Sequence, residues 1–317
     1  MFAITGATGR VGRRVASRLA KLGVPQRLIV RDRRNAPILP DVEVMEASAY
    51  SDVVAMGKAL KGIQTLFLVS ARDRFGVAQN SALKRISPPP YDRVQEHMAA
   101  IDAAAAVGVQ RIIYLSFLNS EPDATFVLAQ DHYYTEEYIR HIGLPFTFLR
   151  MNLYTDRVPF YVSSDDVIRV PAGAGKVSWV TRDDLADVAV AVLTGSGHDG
   201  FTYDVTGPEA LTMAETADAL SRVTGRKITY QPQTPHQVRA THKVSGFEKL
   251  EAERIAMTGT GFTEYDIQVC ITHFLQIATG ELSLVSDIVP RLTGHPAQSL
   301  TDYLKNYPES YQNQGIH

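Results

Sequence analysis

The sequence has 317 residues, of which 45% are hydrophobic and 21% charged, enough to bury a sizeable core. Its formal net charge of −2 gives no electrostatic basis for nucleic acid or an anionic membrane as a partner. The single cysteine, Cys270, excludes an internal disulfide and a cysteine-based metal cluster.

The hydropathy pattern contains no run of about twenty apolar residues that could span a bilayer. The first predicted strand already begins at Ala3, which leaves no room for a secretory signal. We therefore expect a cytoplasmic protein without a membrane partner.

Apolar runs alternate with segments of helical periodicity over the first two thirds of the chain. This alternation predicts an α/β protein with a doubly wound parallel sheet of the Rossmann type. The predicted strands are Ala3–Thr5, Arg27–Val30, Val42–Met45, Thr65–Ser70, Arg111–Ser116, Phe146–Arg150 and Phe201–Val205. The helices predicted between them include Asp52–Leu60, Arg93–Val107, Asp131–Ile142 and Asp183–Leu193.

Helical patterns dominate after residue 207 and predict a smaller lobe on the substrate side. The predicted helices are Thr212–Val223, Gln237–Ala256, Tyr265–Thr279, Asp287–Leu292 and Leu300–Asn306. Thr212 and Glu215 have the spacing of a capping box, and Asp287 suits an N-cap. We assign 1–155 and 182–206 to the dinucleotide-binding domain, and 156–181 and 207–317 to the smaller lobe.

The first strand leads into a turn with three glycines and then into an amphipathic helix. Gly6 allows a tight turn, Gly9 admits a diphosphate close to the backbone, and Gly12 lets the helix approach the sheet. The helix N-terminus adds N–H groups and a positive dipole end. The pattern predicts a dinucleotide site formed by Gly6, Thr8, Gly9, Arg10, Val11 and Gly12; the alternative is a turn with no ligand.

The residues after the second strand bear on the choice between NADP and NAD. Arg31 stands where an arginine accommodates the 2′-phosphate of NADP, and Arg33 and Arg34 follow as possible helpers. Asp32 keeps NAD open, because an acidic residue there would hold the ribose 2′-hydroxyl. The pattern favours NADP, with a solvated turn as the alternative reading of the arginines.

Several motifs together resemble the NmrA-like group of atypical short-chain dehydrogenase/reductases, and most closely its quinone-reductase and triphenylmethane-dye-reductase branch. The resemblance covers nearly the whole chain. The motifs are Thr5–Gly12, Ile29–Arg31, Leu66–Ser70, Gly108–Ser116, Asp131–Glu136, Gly143–Arg150, Arg182–Asp187, Tyr203–Pro208 and Val289–Pro296.

The sequence departs from the tyrosine–lysine pair of better-known short-chain dehydrogenases. Tyr133 is followed four residues later by Glu137, and Phe117 stands where a catalytic serine would be expected. His132 occupies the position of the lysine in related reductases, so the resemblance implies a cofactor contact or a proton donor there. The alternative is a histidine on the helix surface near Glu136.

Other site residues are predicted from the carboxyl ends of the strands, where ligands of open α/β sheets lie. These cofactor-site candidates are Val69, Ser70, Ala71, Ser116, Met151, Asn152 and Leu153, with Tyr50 near the adenine. The substrate-site candidates are Phe117, Tyr154 and Trp179. Trp179 either stacks on a flat ligand or packs between the two parts of the chain, and Met151 and Leu153 have core packing as an alternative.

Two further features were considered as sites. The segment Arg72–Asp92 is predicted to be either a lid over the nicotinamide or a mobile loop. Asp183, Asp184 and Asp187 suit a helix start better than acid–base chemistry, and the histidine spacing predicts no catalytic metal.

The combined pattern predicts an NADPH-dependent reductase of flat, electron-poor acceptors such as quinones or dyes. Hydride would pass directly to the stacked acceptor, with water or His132 supplying any proton. One alternative is a non-catalytic redox sensor that acts through a protein partner. Another is carbonyl or isoflavone-like reduction with His132 in place of lysine. We expect a monomer or homodimer.

Overall fold

The computed structural model describes residues 1–71, 92–241 and 261–312, together with residues 247, 251 and 255. Its strands are β1 (Phe2–Thr5), β2 (Gln26–Val30), β3 (Val42–Glu46), β4 (Thr65–Val69), β5 (Arg111–Phe117), β6 (Phe146–Met151), β7 (Val167–Ile168), β8 (Lys176–Val177), β9 (Phe201–Val205), β10 (Leu211–Thr212) and β11 (Thr229–Tyr230).

The helices alternate with the strands up to β9 and dominate afterwards. They are α1 (Arg10–Lys21), α2 (Val53–Leu60), α3 (Asp92–Ala106), α4 (Val127–Ile142), α5 (Arg182–Thr194), α6 (Met213–Thr224), α7 (Pro235–Thr241), α8 (Glu264–Ala278), α9 (Ile288–Thr293), α10 (Leu300–Asn306) and α11 (Glu309–Gln312). Two 3₁₀ helices span Arg33–Asn35 and Thr155–Tyr161.

A seven-stranded sheet in the order β3-β2-β1-β4-β5-β6-β9 forms the centre of the protein. All of its neighbouring strands are parallel, as the continuous apolar runs predicted. The order reverses between β1 and β4, so a crevice opens there at the carboxyl ends of the strands. The predicted doubly wound α/β fold is therefore confirmed.

Apolar cores lie on both faces of the sheet. Helices α1 and α5 cover one face, where Val15 and Leu19 pack with Leu185. Helices α2 and α3 cover the other, where Met56 and Ile101 are fully buried. A third core is formed mainly by later segments, and the division into two domains with its boundaries remains a prediction.

Several predicted boundaries differ from the structure. Helix α4 begins at Val127 rather than Asp131, because Ala129 in its first turn is buried in the third core. The two-residue strands were missed because they are too short for a periodic pattern. The predicted helix Gln237–Ala256 corresponds to α7 for its first part, and most of the rest lies outside the described residues.

The predicted helix caps had mixed outcomes. The capping box of Thr212 and Glu215 is present. Asp287 occupies the N-cap position of α9, but its side chain makes no capping hydrogen bond. Thr181, not Asp183, caps α5, and Asp183 lies in the first turn, where it bonds to Arg18.

The structure also bears on the predicted loop, on membrane spans and on metal sites. The segment Arg72–Asp92, predicted as a lid or a mobile loop, lies outside the described residues except for Asp92 at the start of α3. None of the helices that the structure describes is both long and apolar enough to cross a membrane. Within the same described ranges, no group of three or more histidine, cysteine or acidic residues is placed to hold a metal ion.

Candidate active site

The glycine turn between β1 and α1 is closed by its own backbone. Gly6 has a φ of +60°, and the Gly9 N–H donates to the Gly6 carbonyl at 2.8 Å. A Cβ on Gly12 would lie 2.3 Å from that carbonyl oxygen, so a side chain there would force the turn open. Gly9 caps α1 without a side chain, which leaves bare backbone at the helix N-terminus. This cradle fits a diphosphate.

The turn after β2 contains three exposed arginines, and two of them are bonded to other groups of the protein. Asp32 accepts hydrogen bonds from the Arg34 guanidinium at 2.6 Å and from the Arg34 backbone N–H at 2.9 Å. These bonds lower the pKa of Asp32. Arg33 donates to the Val44 carbonyl, whereas the exposed Arg31 guanidinium has no recorded partner among the described residues. The arrangement suits a phosphate at Arg31 better than a ribose hydroxyl at Asp32.

The end of β4 is held by side chains from other elements. The Tyr50 hydroxyl donates to the Val69 carbonyl at 2.7 Å, and burial raises the pKa of Tyr50 to about 12. The Ala71 N–H donates to Nε2 of His97 at 2.8 Å. Tyr50 therefore fixes the strand end with its hydroxyl, and its contact with the adenine stays a prediction.

A cavity of about 270 Å³ lies beyond the ends of β5 and β6. Six predicted site residues line it: Phe117, His132, Met151, Asn152, Leu153 and Tyr154. The structure also brings in residues that sequence reasoning did not assign, including Arg93, Leu128, Arg157, Tyr161, Arg182 and His273. The cavity is mainly aromatic and aliphatic, which suits a flat apolar ligand.

His132 is buried inside the site, so the helix-surface reading is wrong. Arg93 Nη2 lies 2.9 Å from its Nε2, and the Tyr114 hydroxyl lies 2.8 Å from its Nδ1. Burial, with the Arg93 charge, lowers the pKa of His132 well below its usual range. Because a guanidinium can only donate, Nε2 accepts and the neutral ring carries its proton on Nδ1, toward Tyr114. Both ring nitrogens therefore have protein partners, and the role of His132 as a proton donor stays a prediction.

Ser116 and Asn152 have internal partners. The Ser116 hydroxyl donates to Glu136 at 2.6 Å, and Ser116 does not line the cavity. Asn152 Nδ2 donates to Ser178 at 2.7 Å and to the Leu282 carbonyl at 2.9 Å. Both amide protons of Asn152 are thus engaged in joining β6 to later segments. Asn152 nevertheless lines the cavity, so a contact with the nicotinamide or the substrate stays a prediction.

Trp179 packs inside the protein instead of capping the cleft. Only 2% of the residue is exposed, and its indole N–H donates to Thr216 at 3.0 Å. Its ring centroid lies 6.1 Å from that of Tyr161. Trp179 is not a cavity-lining residue, so the packing alternative is the one the structure supports.

An ion-pair cluster connects the glycine turn to the cavity. Arg10 Nη1 lies 2.6 Å from the Asp156 carboxylate, and Arg182 Nε lies 2.9 Å from it. The Arg182 guanidinium also lies 3.5 Å from the centroid of the Tyr154 ring. Burial alone would raise the pKa of Asp156, but Arg182 and Arg10 outweigh it and lower that pKa. The sequence signal that could have found Arg182 was its place at the start of the quoted motif Arg182–Asp187.

Comparisons with known proteins agree with this geometry. A family model for NAD(P)H-binding proteins matches residues 6–196. A (4-alkanoyl-5-oxo-2,5-dihydrofuran-3-yl)methyl phosphate reductase of Streptomyces griseus is 34% identical, over 98% of this chain and 99% of the relative.

Two solved structures are similar to nearly the whole chain. The NADPH-dependent quinone oxidoreductase of Escherichia coli, complexed with NADPH, is 28% identical with a TM-score of 0.78, covering 96% of this chain and 99% of that one. Citrobacter sp. triphenylmethane reductase, complexed with NADP(H), is 29% identical with a TM-score of 0.75 and the same coverage. The resemblance inferred from the motifs is confirmed, and the chain belongs to the NAD(P)H-binding family.

Proposed function

We propose that this protein transfers hydride from NADPH to a flat, electron-poor acceptor of the quinone class. The observation that carries the proposal is the aromatic cavity at the ends of β5 and β6, in which both ring nitrogens of His132 are already bonded to protein groups. A site of this kind favours hydride transfer to an acceptor that needs no tyrosine–lysine pair.

The proposed cofactor contacts follow the turn and the strand ends. The backbone from Gly6 to Gly12 would hold the diphosphate, and Arg31 would hold the 2′-phosphate. Val69, Ser70 and Ala71 would border the nicotinamide half of the crevice. When bound, NADPH supplies the hydride.

The contribution of the protein is to position the acceptor and exclude water. Phe117 and Phe126 are buried, with ring centroids 5.6 Å apart, and form one wall. Tyr154, covered by Arg182, forms part of another. An acceptor stacked between such walls is held in one orientation in a dry site, which lowers the barrier to hydride transfer. Water supplies the proton that completes the product.

The relatives support this class of acceptor. Two of them are named for the reduction of quinones and of triphenylmethane dyes, and a third for a conjugated lactone that carries a phosphate. The sensor alternative requires no acceptor cavity, so the cavity favours catalysis. The expectation that the protein is a monomer or a homodimer stays a prediction.

The proposal is tested by following NADPH oxidation with benzoquinone, naphthoquinone, a triphenylmethane dye and a simple ketone. We expect turnover with the first three and none with the ketone. Binding of NADPH without turnover on any acceptor would contradict the proposal and favour the sensor.

A cavity-filling variant makes the same test specific to the site. Leu128 lines the cavity and is half-buried, so Leu128→Trp should raise the acceptor KM at least about tenfold while the Kd for NADPH stays unchanged. The matched control is Leu284→Trp at an exposed leucine. Equal effects of the two variants would show that the cavity is not the acceptor site.

A further inference from the structure

We propose that Arg93 donates a hydrogen bond to the acceptor oxygen that becomes negatively charged when hydride is added, and that His132 positions it. The inference rests on the proposed function, since it concerns the acceptor within the same cavity. Arg93 lies at the start of α3, and no sequence motif singled it out.

The guanidinium of Arg93 is held by four hydrogen bonds. Its Nε donates to the Ala71 carbonyl at 3.0 Å, and Nη1 donates to Asp131 at 3.2 Å and to the Leu128 carbonyl at 3.4 Å. Nη2 donates to Nε2 of His132 at 2.9 Å. A guanidinium has five N–H groups, so one on Nη2 remains, and no described residue is recorded as its acceptor.

The remaining N–H belongs to a group that lines the cavity. The Arg93 side chain is only 10% exposed, and the carboxylate of Asp131 beside it is 1% exposed. A donor fixed in a poorly hydrated site interacts with a developing negative charge far more strongly than water-exposed arginines do. Because its other bonds are already made, Arg93 needs little reorganisation during the reaction.

His132 sets the position of this donor. Phe117 stacks on the imidazole with ring centroids 6.1 Å apart and an interplanar angle of 29°. Tyr114 holds the opposite ring nitrogen at 2.8 Å. The ring therefore presents a fixed acceptor to Arg93. His132 acts through Arg93 and is a positioning residue.

Two acceptor classes distinguish a catalytic role of Arg93 from a merely structural one. Hydride brings two electrons to a quinone and leaves one oxygen as a phenolate, which water then protonates to give the hydroquinone. The same hydride forms a C–H bond at the central carbon of a triarylmethyl cation and leaves a neutral product. Only the first reaction develops a negative oxygen, so only the first should depend on Arg93.

The kinetic test compares these acceptors in one variant. Arg93→Met alone would leave Asp131 as a buried charge, so the variant is Arg93→Met with Asp131→Asn. We expect kcat for naphthoquinone to fall about 100-fold and kcat for the dye to change less than about threefold. Arg222→Met, at an exposed arginine of α6, is the control. An equal loss with both acceptors, or no loss with the quinone, would overturn the assignment.

A binding measurement provides a readout without turnover. Nitrophenol binds as either the phenol or the coloured phenolate, and the phenolate imitates the charged oxygen. The wild-type protein should favour the phenolate, and the double variant should lose at least about tenfold in phenolate affinity with the phenol unchanged. His132→Gln, which keeps an acceptor for Arg93, should retain most of the preference.

The kinetic and binding measurements distinguish a failure of the proposed function from a failure of the role assigned to Arg93. A wild-type protein that reduces no acceptor would refute the proposed function, and phenolate binding would still report on Arg93. A phenolate preference that survives in the double variant would refute the role of Arg93, and quinone turnover would stand. Unchanged NADPH affinity and an unchanged thermal unfolding temperature verify that the double variant is folded. If the double variant does not fold, Arg93→Lys is measured with naphthoquinone and the dye, and a loss confined to the quinone is again the expected result.

Discussion

The hydroxyl of Ser116 lies 2.6 Å from the Glu136 carboxylate, and both residues are fully buried. Glu136 also accepts from Arg150 at 2.7 Å, so the serine at the end of β5 belongs to an internal ion-pair network. We expect Ser116→Ala to leave kcat/KM for a quinone within about twofold. The unfolding free energy should fall by about 1 kcal/mol, because one buried hydrogen bond is lost.

Urea unfolding and steady-state kinetics on the same preparation check this prediction. Glu136→Gln serves as a comparison, since it removes the buried carboxylate charge closest to Arg150 and should lower the unfolding free energy by about 3–5 kcal/mol. A loss of more than about tenfold in kcat/KM for Ser116→Ala at normal stability would show that the hydroxyl takes part in catalysis.

Gly12 is the glycine whose substitution should damage the nucleotide site most directly. A Cβ there would lie 2.3 Å from the Gly6 carbonyl oxygen, which is backbone and cannot rotate away. We expect Gly12→Ala to weaken NADPH binding more than about tenfold, measured by calorimetry, because the turn must open. The control is Gly57→Ala within α2, whose Cβ would meet Val107 at an ordinary 3.7 Å. The Gly57→Ala variant should gain about 0.5–1 kcal/mol in unfolding free energy. Equal NADPH affinity of the two variants would contradict the assignment of the turn as the nucleotide site.

Arg31 should set the preference for NADPH over NADH. Its guanidinium is exposed at the end of β2, whereas Arg34 is bonded to Asp32. We expect Arg31→Ala to raise the Kd for NADPH by about 10- to 100-fold and to leave the Kd for NADH unchanged, since one charge-assisted phosphate contact is lost. Arg222→Ala is the control at an exposed arginine. A parallel loss of both cofactors would show that Arg31 does not contact the 2′-phosphate.

Three histidines with strongly lowered pKa values should make the protein less stable in mild acid. Burial lowers the pKa of His97 and His132 well below the usual range and that of His273 to about 3. Each ring is neutral when folded but protonated when unfolded below about pH 6.5. The stabilisation is therefore complete above that pH and is lost as the pH falls, with a limiting slope of about 1.4 kcal/mol per pH unit for each ring.

Urea unfolding between about pH 7.5 and pH 5.5, a range chosen to stay above the ordinary pKa of carboxylates, measures this slope. We expect His273→Gln to reduce it by up to about a third, because one of the three largest histidine contributions disappears. His236→Gln, at an exposed histidine, should leave it unchanged. A wild-type stability that is flat across this range would contradict the neutral assignment of the three rings.

The sequence predicted the fold well because the signals for it are local. The apolar runs of β4 to β6 and the glycine turn before α1 follow from backbone geometry and a two- or 3.6-residue period. The features that were predicted wrongly depend on contacts between residues far apart in the sequence. Helix α4 starts early because Ala129 meets a core formed mainly by later segments, and Trp179 faces Thr216 instead of a ligand.

The candidate site was predicted only in part. Phe117 and Tyr154 were expected near a substrate and do line the cavity, because strand ends are local features. The environment of His132 was not predictable, since Arg93 and Tyr114 are 39 and 18 residues away along the chain. Arg182 was part of a quoted motif, yet its contact with Asp156 depends on how α5 packs beside the glycine turn.

The order of residues alone determined that a parallel sheet would form, that its first turn would be bare backbone, and that an arginine would follow β2. Tertiary packing decided which arginines line the cavity and which groups bond the two ring nitrogens of His132. Periodicity and glycine geometry act within a few residues, whereas desolvation and charge pairing depend on segments that meet only in the folded chain.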